Sequence, residues 1–326
     1  MKDSTFAITT CSIAAAIGVS LFFLRRYFAG RYCNSKAMMH QKTIIITGCN
    51  TGVGKETAID LAKRGARVIM ACRDDQRGLQ AAQQVRQQSG NNNVTYKHLD
   101  LASFASIRQF ANDIIDNEKQ ISVLINNAAV AHCPYSTTQE GFEMQFGVNH
   151  LGHFLLTNLL LDKLKESAPS RIVIVSSGLY KYATIDFDDL HGVRYYSPQV
   201  AYKQSKLANL LFAHELNKKL QGSGVTVNSV HPGVVRTDLG RHSEWVKSYW
   251  IVLLRPLLML ILKTPLQGAQ TSIYCAVAEE LEGVSGHYYG DCMEKKLLPR
   301  AKDDEIAKKL WDISCKLVNL TESKRK

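Results

Sequence analysis

Two residues four positions apart, Tyr202 and Lys206, are the pair in this sequence best suited to moving a proton. They lie in a stretch with a helical pattern, AYKQSKLANLLFAHEL, so both side chains should lie on one helix face. A phenol normally loses its proton at about pH 10, and a nearby ammonium group favours the phenolate and lowers that pKa. Such a tyrosine can give a proton to a carbonyl oxygen or take one from an alcohol. The alternative interpretation is a tyrosine on a partly buried helix beside a solvated lysine.

A glycine-rich loop follows the first predicted strand and precedes a predicted helix. Glycines allow a tight turn and a close approach of a pyrophosphate to the backbone, and the helix N-terminus offers free N–H groups and a positive dipole end. The sequence therefore predicts a dinucleotide site rather than a plain turn. Its predicted contacts are Gly48, Cys49, Asn50, Thr51, Gly52, Val53 and Gly54.

The end of the second predicted strand indicates which dinucleotide binds. Folds that bind NAD place an acidic residue there for the ribose 2′-hydroxyl. This chain has Arg73, which would pair with a 2′-phosphate, and Lys55 could add charge at the same place. NADPH is therefore predicted over NADH. Asp100, after the third strand, is a candidate contact for the adenine, or alternatively a helix N-cap.

The hydrophobic pattern predicts the fold that would hold these residues in place. Apolar runs of strand length alternate with amphipathic runs of helix length, which is typical of a parallel sheet covered on both faces. The fold class is α/β, a Rossmann-type doubly wound parallel sheet in a single domain, residues 38–314. The predicted strands are Thr43–Thr47, Arg67–Ala71, Val94–Leu99, Val123–Asn126, Ile172–Ser176 and Val225–Val230, and the first helices are Lys55–Arg64 and Asp74–Gln88.

Composition limits the partners. The chain has 326 residues and a net charge of +11, which would suit nucleic acid, an anionic membrane surface or a polyanionic small molecule. No basic stripe with interleaved aromatic residues is present, so a nucleic-acid partner is not predicted. The eight cysteines form no CxxC pair, so no metal site is predicted, and they should be free thiols in a reducing compartment.

The N-terminus predicts a membrane anchor within residues 1–37. The run from Ser4 to Leu24 carries no charge, and as a helix it would be about 31 Å long, the thickness of a hydrocarbon core. Arginines follow it rather than precede it, which favours an uncleaved single-pass anchor with the catalytic domain in the cytosol. The sequons at Asn93 and Asn319 should then stay unmodified. Residues 315–326 are predicted to be a basic C-terminal tail.

Several motifs occur together in the order found in one enzyme family. They are TGxxxGxG from Thr47, NNAA at 126–129, YxxxK from Tyr202 and PG-xxx-T ending at Thr237. With them the chain resembles the short-chain dehydrogenase/reductase family from about Lys42 to Asp291. The resemblance implies an NADP-dependent alcohol dehydrogenase/reductase in which the tyrosine is the general acid and base.

The resemblance also implies roles for the matching positions. Ser177 would bind the substrate oxygen, and Asn149 would hold a water molecule in a proton relay behind Lys206. Lys206 would also bind the nicotinamide ribose, while Asn127 and Thr237 would contact the cofactor.

Two departures from the family pattern stand out. Ala129 replaces the last glycine of NNAG, and its methyl could crowd the strand end. The stretch 179–200 between Ser177 and Tyr202 is longer than in many members.

Further segments, such as FGVNHLGHFLLT and HPGVVRTDLGRH, resemble the membrane-bound, NADP-linked retinol dehydrogenase branch. That branch implies a lipophilic substrate, a retinoid, and the endoplasmic reticulum, with mitochondrial membranes second. An apolar stretch within residues 243–263 is predicted to be a lid over such a substrate; two short core helices around a proline or a contact with the membrane interface are alternatives.

Other functions stay open. They are reduction of other lipid aldehydes or of steroids, and an idle NADPH-binding membrane scaffold. The oligomeric state is also open, a homodimer included.

Overall fold

The computed structural model describes residues 18–237, 239 and 259–320, and its centre is one sheet. The strands follow the order β3-β2-β1-β4-β5-β6-β7-β8, and every neighbouring pair is parallel except β7 with β8. The strands are β1 (Thr43–Thr47), β2 (Arg67–Cys72), β3 (Val94–His98), β4 (Val123–Asn126), β5 (Ser170–Val175), β6 (Val225–His231), β7 (Tyr288–Gly290) and β8 (Met293–Glu294).

Helices cover both faces of the sheet. They are α1 (Gly52–Lys63), α2 (Asp75–Ser89), α3 (Phe104–Asn117), α4 (Met144–Phe146), α5 (His153–Glu166), α6 (Pro198–Lys219), α7 (Pro265–Val277) and α8 (Asp304–Leu317). A π-helical turn, Gly147–Gly152, joins α4 to α5, and 3-10 turns span Gly178–Tyr182, Glu279–Leu281 and Pro299–Ala301.

Alternation along β1 shows how the two layers form. Ile44 and Ile46 belong to the core beneath α1, α2 and α7, whereas Ile45 belongs to the core beneath α3, α5, α6 and α8. All three are fully buried, because successive side chains of a strand point to opposite faces and both faces of this sheet are covered. The predicted α/β fold with a parallel sheet is therefore confirmed.

Each predicted strand is present to within two residues at either end. The prediction missed β7 and β8, which are short and lack an apolar run, and α1 begins three residues earlier than expected, at Gly52.

The end of the domain also differs from the expectation. Helix α8 continues to Leu317, and Cys315, Val318 and Leu320 are buried, so residues 315–320 pack with the domain that was expected to stop at Ser314.

The predicted membrane segments fall largely outside the described residues. Residues 18–29 form a helix, and the first part of the expected anchor precedes them. Within the described ranges, no helix combines the length and apolar character needed to cross a bilayer. Most of the expected lid, residues 243–258, likewise lies outside the described part of the chain.

Arg25 ties the N-terminal helix (residues 18–29) to the catalytic domain. Its guanidinium group donates to the carbonyl of Leu262 at 3.0 Å and to Gln267 Oε1 at 2.9 Å. Gln267 lies in the first turn of α7 and also closes its capping box with Thr264. The helix therefore has a defined contact with the segment that leads into α7.

Candidate active site

The strand order creates a crevice at the carboxyl ends of β1 and β4. Chain connections run outward in opposite directions from these two strands, and ligands of open α/β sheets bind at such a switch point. The glycine loop leaves β1 here, and the NNAA segment leaves β4 beside it.

The glycine loop is shaped by close backbone contacts. Gly48 has a φ of +64°, and a Cβ there would lie 2.7 Å from the Cα of Ala128. A Cβ on Gly54 would lie 2.6 Å from the carbonyl oxygen of Gly48. Asn127 secures the arrangement, since its Nδ2 donates to the carbonyls of Thr47 and Gly48 at 2.8 and 3.1 Å. Larger residues at either glycine would open the loop.

Helix α1 begins without a side-chain cap. Thr51 occupies the N-cap but makes no capping hydrogen bond, and the first turn contains no acidic residue. By contrast, Asp74, Ser103 and Asp303 cap α2, α3 and α8. The free N–H groups of α1 face a cleft of about 510 Å³. Uncapped amides with a positive dipole end suit a pyrophosphate, so the donor set fits a dinucleotide.

Nearly every predicted cofactor contact lines this cleft. They are Gly48, Asn50, Thr51, Gly52, Val53, Gly54, Arg73, Asp100, Asn127, Tyr202, Lys206 and Thr237. Ala129 also lines it, so the alanine in place of glycine faces the cleft.

The exception is Cys49, whose side chain points inward. It is fully buried, and its thiol donates to the carbonyl of Ile46 at 3.1 Å and lies 3.7 Å from the thiol of Cys72. Its side chain is thus part of the core beneath the loop, and only its backbone can contact a cofactor.

Two arginines lie at the end of β2. Arg73 is exposed, and Arg77, in the first turn of α2, lines the same part of the cleft. Arg77 was not predicted; its spacing of four residues from Arg73 was the available signal. Lys55, in contrast, donates to Gln84 on α2 and does not line the cleft. The positive charge at this edge therefore comes from Arg73 and Arg77.

Tyr202 is buried, and burial raises the pKa of its phenol to about 12, while a hydrogen bond with Ser177 acts in the opposite direction. This corrects the expectation that Lys206 would dominate and lower that pKa: the Lys206 amino group lies 5.6 Å from the centre of the phenol ring, and desolvation outweighs it. The phenol is protonated at neutral pH and is ready to donate.

The two consecutive serines after β5 have different roles. Ser176 is buried, and its hydroxyl donates to the carbonyl of Lys206 at 2.8 Å, which fixes α6 against the sheet. Ser177 faces the phenol of Tyr202. The structure therefore places Ser177 beside Tyr202, and its role in binding the substrate oxygen stays a prediction.

Lys206 is the most buried cation of the site. Its amino group donates to the carbonyl of Val175 at 3.2 Å, and burial lowers its pKa to about 8. A second polar ligand, such as a ribose hydroxyl, would compensate part of that desolvation.

Asn149 lies in the π-helical turn and is fully buried. Its amide clamps the backbone of Val130, accepting from the N–H at 2.8 Å and donating to the carbonyl at 2.9 Å, and it also donates to Ser205 Oγ at 2.9 Å. Its backbone carbonyl accepts from His153 Nδ1 at 3.0 Å. A relay water could bind only through a remaining lone pair of Asn149.

His153 joins that turn to the glycine loop. Because its Nδ1 must donate to the carbonyl of Asn149, its Nε2 accepts from the Thr47 hydroxyl at 2.8 Å. The Thr47 oxygen in turn accepts from the backbone N–H groups of Asn127 and Ala128, both at 2.9 Å. Burial lowers the pKa of His153 to about 4, so the ring stays neutral. Sequence reasoning missed this residue.

A dinucleotide cleft that ends at a buried, protonated phenol beside a serine defines the class of protein: an oxidoreductase that transfers hydride between a nicotinamide dinucleotide and a carbonyl or alcohol group. Comparison with known proteins gives the family. The short chain dehydrogenase model matches residues 42–246, and the chain belongs to that family. It is an enzyme of the alcohol dehydrogenase/reductase type.

Known relatives extend over nearly the whole chain. Retinol dehydrogenase 14 of Mus musculus is 50% identical and covers 96% of this chain and 98% of its own length. Retinol dehydrogenase 13 of Homo sapiens is 51% identical and covers 97% and 96%. A crystal structure of an uncharacterized protein from Mycobacterium Paratuberculosis is 36% identical, with a TM-score of 0.72, and covers 89% of this chain and 98% of its own. The resemblance to the retinol dehydrogenase branch is thus confirmed.

Proposed function

We propose that this protein interconverts retinol and retinal, with reduction of all-trans-retinal by NADPH as its main direction. The observation that carries the proposal is the position of the buried Tyr202, which lines the dinucleotide cleft together with Lys206 and has Ser177 beside its phenol. Relatives about half identical over nearly their full length are named retinol dehydrogenases, which supports the retinoid as substrate. Cells keep NADPH reduced, which favours the reductive direction.

In the proposed reaction, the cofactor supplies a hydride to the carbonyl carbon of the substrate. Ser177 and Tyr202 bind the carbonyl oxygen, and Tyr202 donates its proton as negative charge develops there. Lys206, close to the phenol ring, stabilises the phenolate that remains. Asn149 and His153 tie the π-helical turn to Val130, which lines the cleft, and to Thr47 at the end of β1.

The preference for NADPH rests on Arg73 and Arg77. Both line the cleft at the end of β2, and Asp74 between them is the N-cap of α2, where its Oδ1 accepts from the N–H of Arg77 at 2.9 Å. The same carboxylate also forms an ion pair with Arg77, whose Nε lies 3.9 Å from Asp74 Oδ2, so the three side chains together leave one net positive charge for a 2′-phosphate.

One assay tests the proposal. Full-length protein in detergent micelles is given NADPH or NADH with all-trans-retinal, a medium-chain aldehyde or a ketosteroid, beside Tyr202→Phe. We expect the highest kcat/KM with retinal and NADPH and a loss of at least about a hundredfold in the variant, because a positioned general acid contributes about that much. Equal rates for both proteins would refute the catalytic role, and a preference for another substrate would refute the retinoid.

We further propose that the N-terminus anchors the protein, with its catalytic domain in the cytosol, in the endoplasmic reticulum membrane. The uncharged run before Arg25 and the arginines after it support this arrangement. Such an anchor would keep the enzyme at the bilayer, in which a lipophilic substrate dissolves.

A further inference from the structure

Cys49 and Cys72 form a pair of buried thiols beneath the glycine loop, and the proposed reaction uses neither side chain. Both are free cysteines, 0% and 3% exposed, and their sulfur atoms lie 3.7 Å apart. They come from neighbouring strands: β1 and β2 pair Thr47 with Ala71, and the two cysteines follow within two residues. The thiols therefore meet where the chain enters the cofactor cleft.

Only one of the two cysteines reaches the cleft. Cys72 lines it beside Arg73, whereas Cys49 does not. A small oxidant in the cleft would therefore meet Cys72 first, while Cys49 stays in the core. A bound dinucleotide would cover Cys72, because Arg73 and the adjoining glycine loop are its predicted contacts.

The two thiols also differ in acidity. The Cys49 thiol lowers the pKa of Cys72, and the backbone N–H groups of Cys49 and Asn50 act in the same direction, against burial and the charge of Asp74. Burial instead raises the pKa of Cys49 well above its usual value. Cys72 is therefore the first of the pair to lose its proton.

Ionisation of Cys72 would also redirect the proton of Cys49. That proton is donated to the carbonyl of Ile46 at 3.1 Å while both thiols are neutral. Rotation about the Cβ–Sγ bond of Cys49 turns it toward the Cys72 sulfur, which then accepts hydrogen bonds from the thiol and from the backbone. Because the thiolate is the nucleophilic form of cysteine, Cys72 is the thiol that an oxidant modifies first.

We propose that Cys49 and Cys72 are a redox-sensitive pair: hydrogen peroxide converts them to a disulfide, and this disulfide prevents the cofactor from binding. The effect on binding rests on the proposed function, in which the cleft holds NADPH. Disulfides in reducing compartments are usually transient and regulatory rather than structural, which suits a pair that is reduced at rest.

The oxidation takes two steps. The Cys72 thiolate attacks one oxygen of hydrogen peroxide, so an S–O bond forms as the O–O bond breaks, and the departing hydroxide takes up the proton that Cys72 released. The Cys49 sulfur then attacks the Cys72 sulfur, an S–S bond forms as the S–O bond breaks, and the second hydroxide takes the Cys49 proton. Two thiols lose two electrons, the peroxide becomes two water molecules, and a dithiol reverses the oxidation by exchange.

The disulfide would disturb the loop that is expected to bind the pyrophosphate. An S–S bond is about 2.05 Å long, so the sulfurs must approach by about 1.6 Å from their separation of 3.7 Å. Cys72 belongs to a strand, but Cys49 lies in the loop, and a Cβ on Gly54 would lie 2.9 Å from its Cα. Cys49 therefore cannot move without displacing the start of α1. Since the disulfide opposes cofactor binding, a bound cofactor must oppose the disulfide to the same extent.

The test compares cofactor binding before and after oxidation. Full-length protein in detergent micelles is treated with hydrogen peroxide, with or without saturating NADP⁺, and the remaining thiols are blocked by alkylation. Fluorescence titration then measures the affinity for NADPH, and mass spectrometry of a proteolytic digest identifies disulfide-linked peptides.

We expect a peptide pair that joins Cys49 to Cys72, and NADP⁺ should prevent its formation. The affinity for NADPH should fall at least about tenfold, because the loss of one charge-assisted hydrogen bond has about that effect. Dithiothreitol should restore the affinity in full.

Three variants assign the roles, each compared with its own untreated affinity. Cys72→Ser should keep its affinity in peroxide, because Cys49 is buried and stays protonated. Cys49→Ser should lose affinity irreversibly, because Cys72 without a second thiol proceeds to the sulfinic acid, which dithiothreitol does not reduce. The matched control is Cys292→Ser, which removes a more exposed thiol outside the cleft and should respond as the wild type does.

Several results would overturn the proposal. Oxidised wild type without the Cys49–Cys72 peptide pair, or with it and an unchanged affinity for NADPH, is sufficient, and neither result requires a variant to fold. Loss of affinity in Cys72→Ser, or resistance of Cys292→Ser, would assign the effect to another thiol. If the reduced protein binds NADH and not NADPH, the proposed cofactor is wrong, and the same comparison with NADH then decides the role of the cysteine pair.

Discussion

At the scale of single residues, burial decides the chemistry of the site. Tyr202 and Lys206 are both buried, and burial opposes charge on each: it raises the pKa of the tyrosine to about 12 and lowers that of the lysine to about 8. Before the reaction, Tyr202 is therefore a neutral proton donor, and the neighbouring Lys206 loses its proton more readily than an ordinary lysine. This suits reduction, in which the proton must be on the phenol before hydride arrives.

Lys206→Met should stabilise the protein while abolishing its activity. The folded pKa lies below the usual value of about 10.4, so the charged lysine opposes folding by up to about 3 kcal/mol at pH 7. That penalty is complete below the folded pKa and disappears as pH rises to the unfolded one. Urea denaturation at pH 7 and near pH 10 should therefore show a gain that shrinks with pH. Lys203→Met, on the same helix, should show no such trend, and a less stable Lys206→Met at pH 7 would contradict the interpretation.

Arg73→Asp should reverse the cofactor preference. A charge-assisted hydrogen bond to the 2′-phosphate contributes about 1.5–3 kcal/mol, so the KM for NADPH should rise about tenfold to a hundredfold while that for NADH changes little. Steady-state kinetics with both cofactors measures this. Arg194→Asp, an exposed arginine in the stretch 179–200, serves as the control and should change neither KM. If Arg73→Asp keeps its KM for NADPH, the phosphate is bound elsewhere.

At the scale of elements, one buried network joins three parts of the chain that meet at the cleft. His153 at the start of α5 connects the π-helical turn with Thr47 at the end of β1, and Thr47 holds the backbone after β4. The position of Asn149 therefore depends on the same hydroxyl that supports the glycine loop. A substitution at one residue of this network should therefore change the energetic contribution of the others.

His153→Leu should reduce the free energy of unfolding by about 2–4 kcal/mol, since it leaves the Thr47 hydroxyl and the Asn149 carbonyl buried without their partner. Combined with Thr47→Val, the loss should be smaller than the sum of the two single losses. His150 is the control: it is also buried on this turn but bonds to Ser314, at 2.9 Å, so His150→Leu should add to Thr47→Val within about 0.5 kcal/mol. Additive losses for His153→Leu would show that the network is not coupled.

At the scale of the whole molecule, the proposed N-terminal anchor would decide on which side of the membrane the catalytic domain lies. The N-terminal helix lies against the segment before α7 through Arg25, and the sequon at Asn93 lies exposed before β3. A catalytic domain in the cytosol would never meet the glycosylation machinery, whereas a lumenal one would.

We therefore expect the protein expressed in cells to show no mobility shift on endoglycosidase treatment. A matched fusion with a cleavable signal peptide in place of residues 1–37 should be modified at Asn93, which would show that the site is competent, and Asn93→Gln should remove that modification. A shift in the natural protein that Asn93→Gln abolishes would place the domain on the lumenal side.

The sequence by itself determined the features that depend on neighbours along the chain. Apolar runs predicted β1 to β6, because strand and helix periodicities are local, and the glycine loop and the Tyr202–Lys206 spacing follow from one turn and one helix. The sequence did not predict β7 and β8, because strands of three and two residues are too short to show an apolar pattern.

Only the tertiary structure decided the features that depend on burial and on distant partners. The Cys49 side chain is buried in the core, and the consecutive residues Ser176 and Ser177 make different contacts. The pKa of Tyr202 is raised by burial, whereas the sequence predicted that it would be lowered. The tertiary structure also paired His153 with Thr47, 106 positions away, and brought the thiols of Cys49 and Cys72 together. The physical reason is that desolvation and hydrogen bonding between separate elements exist only once the sheet and its helices have packed.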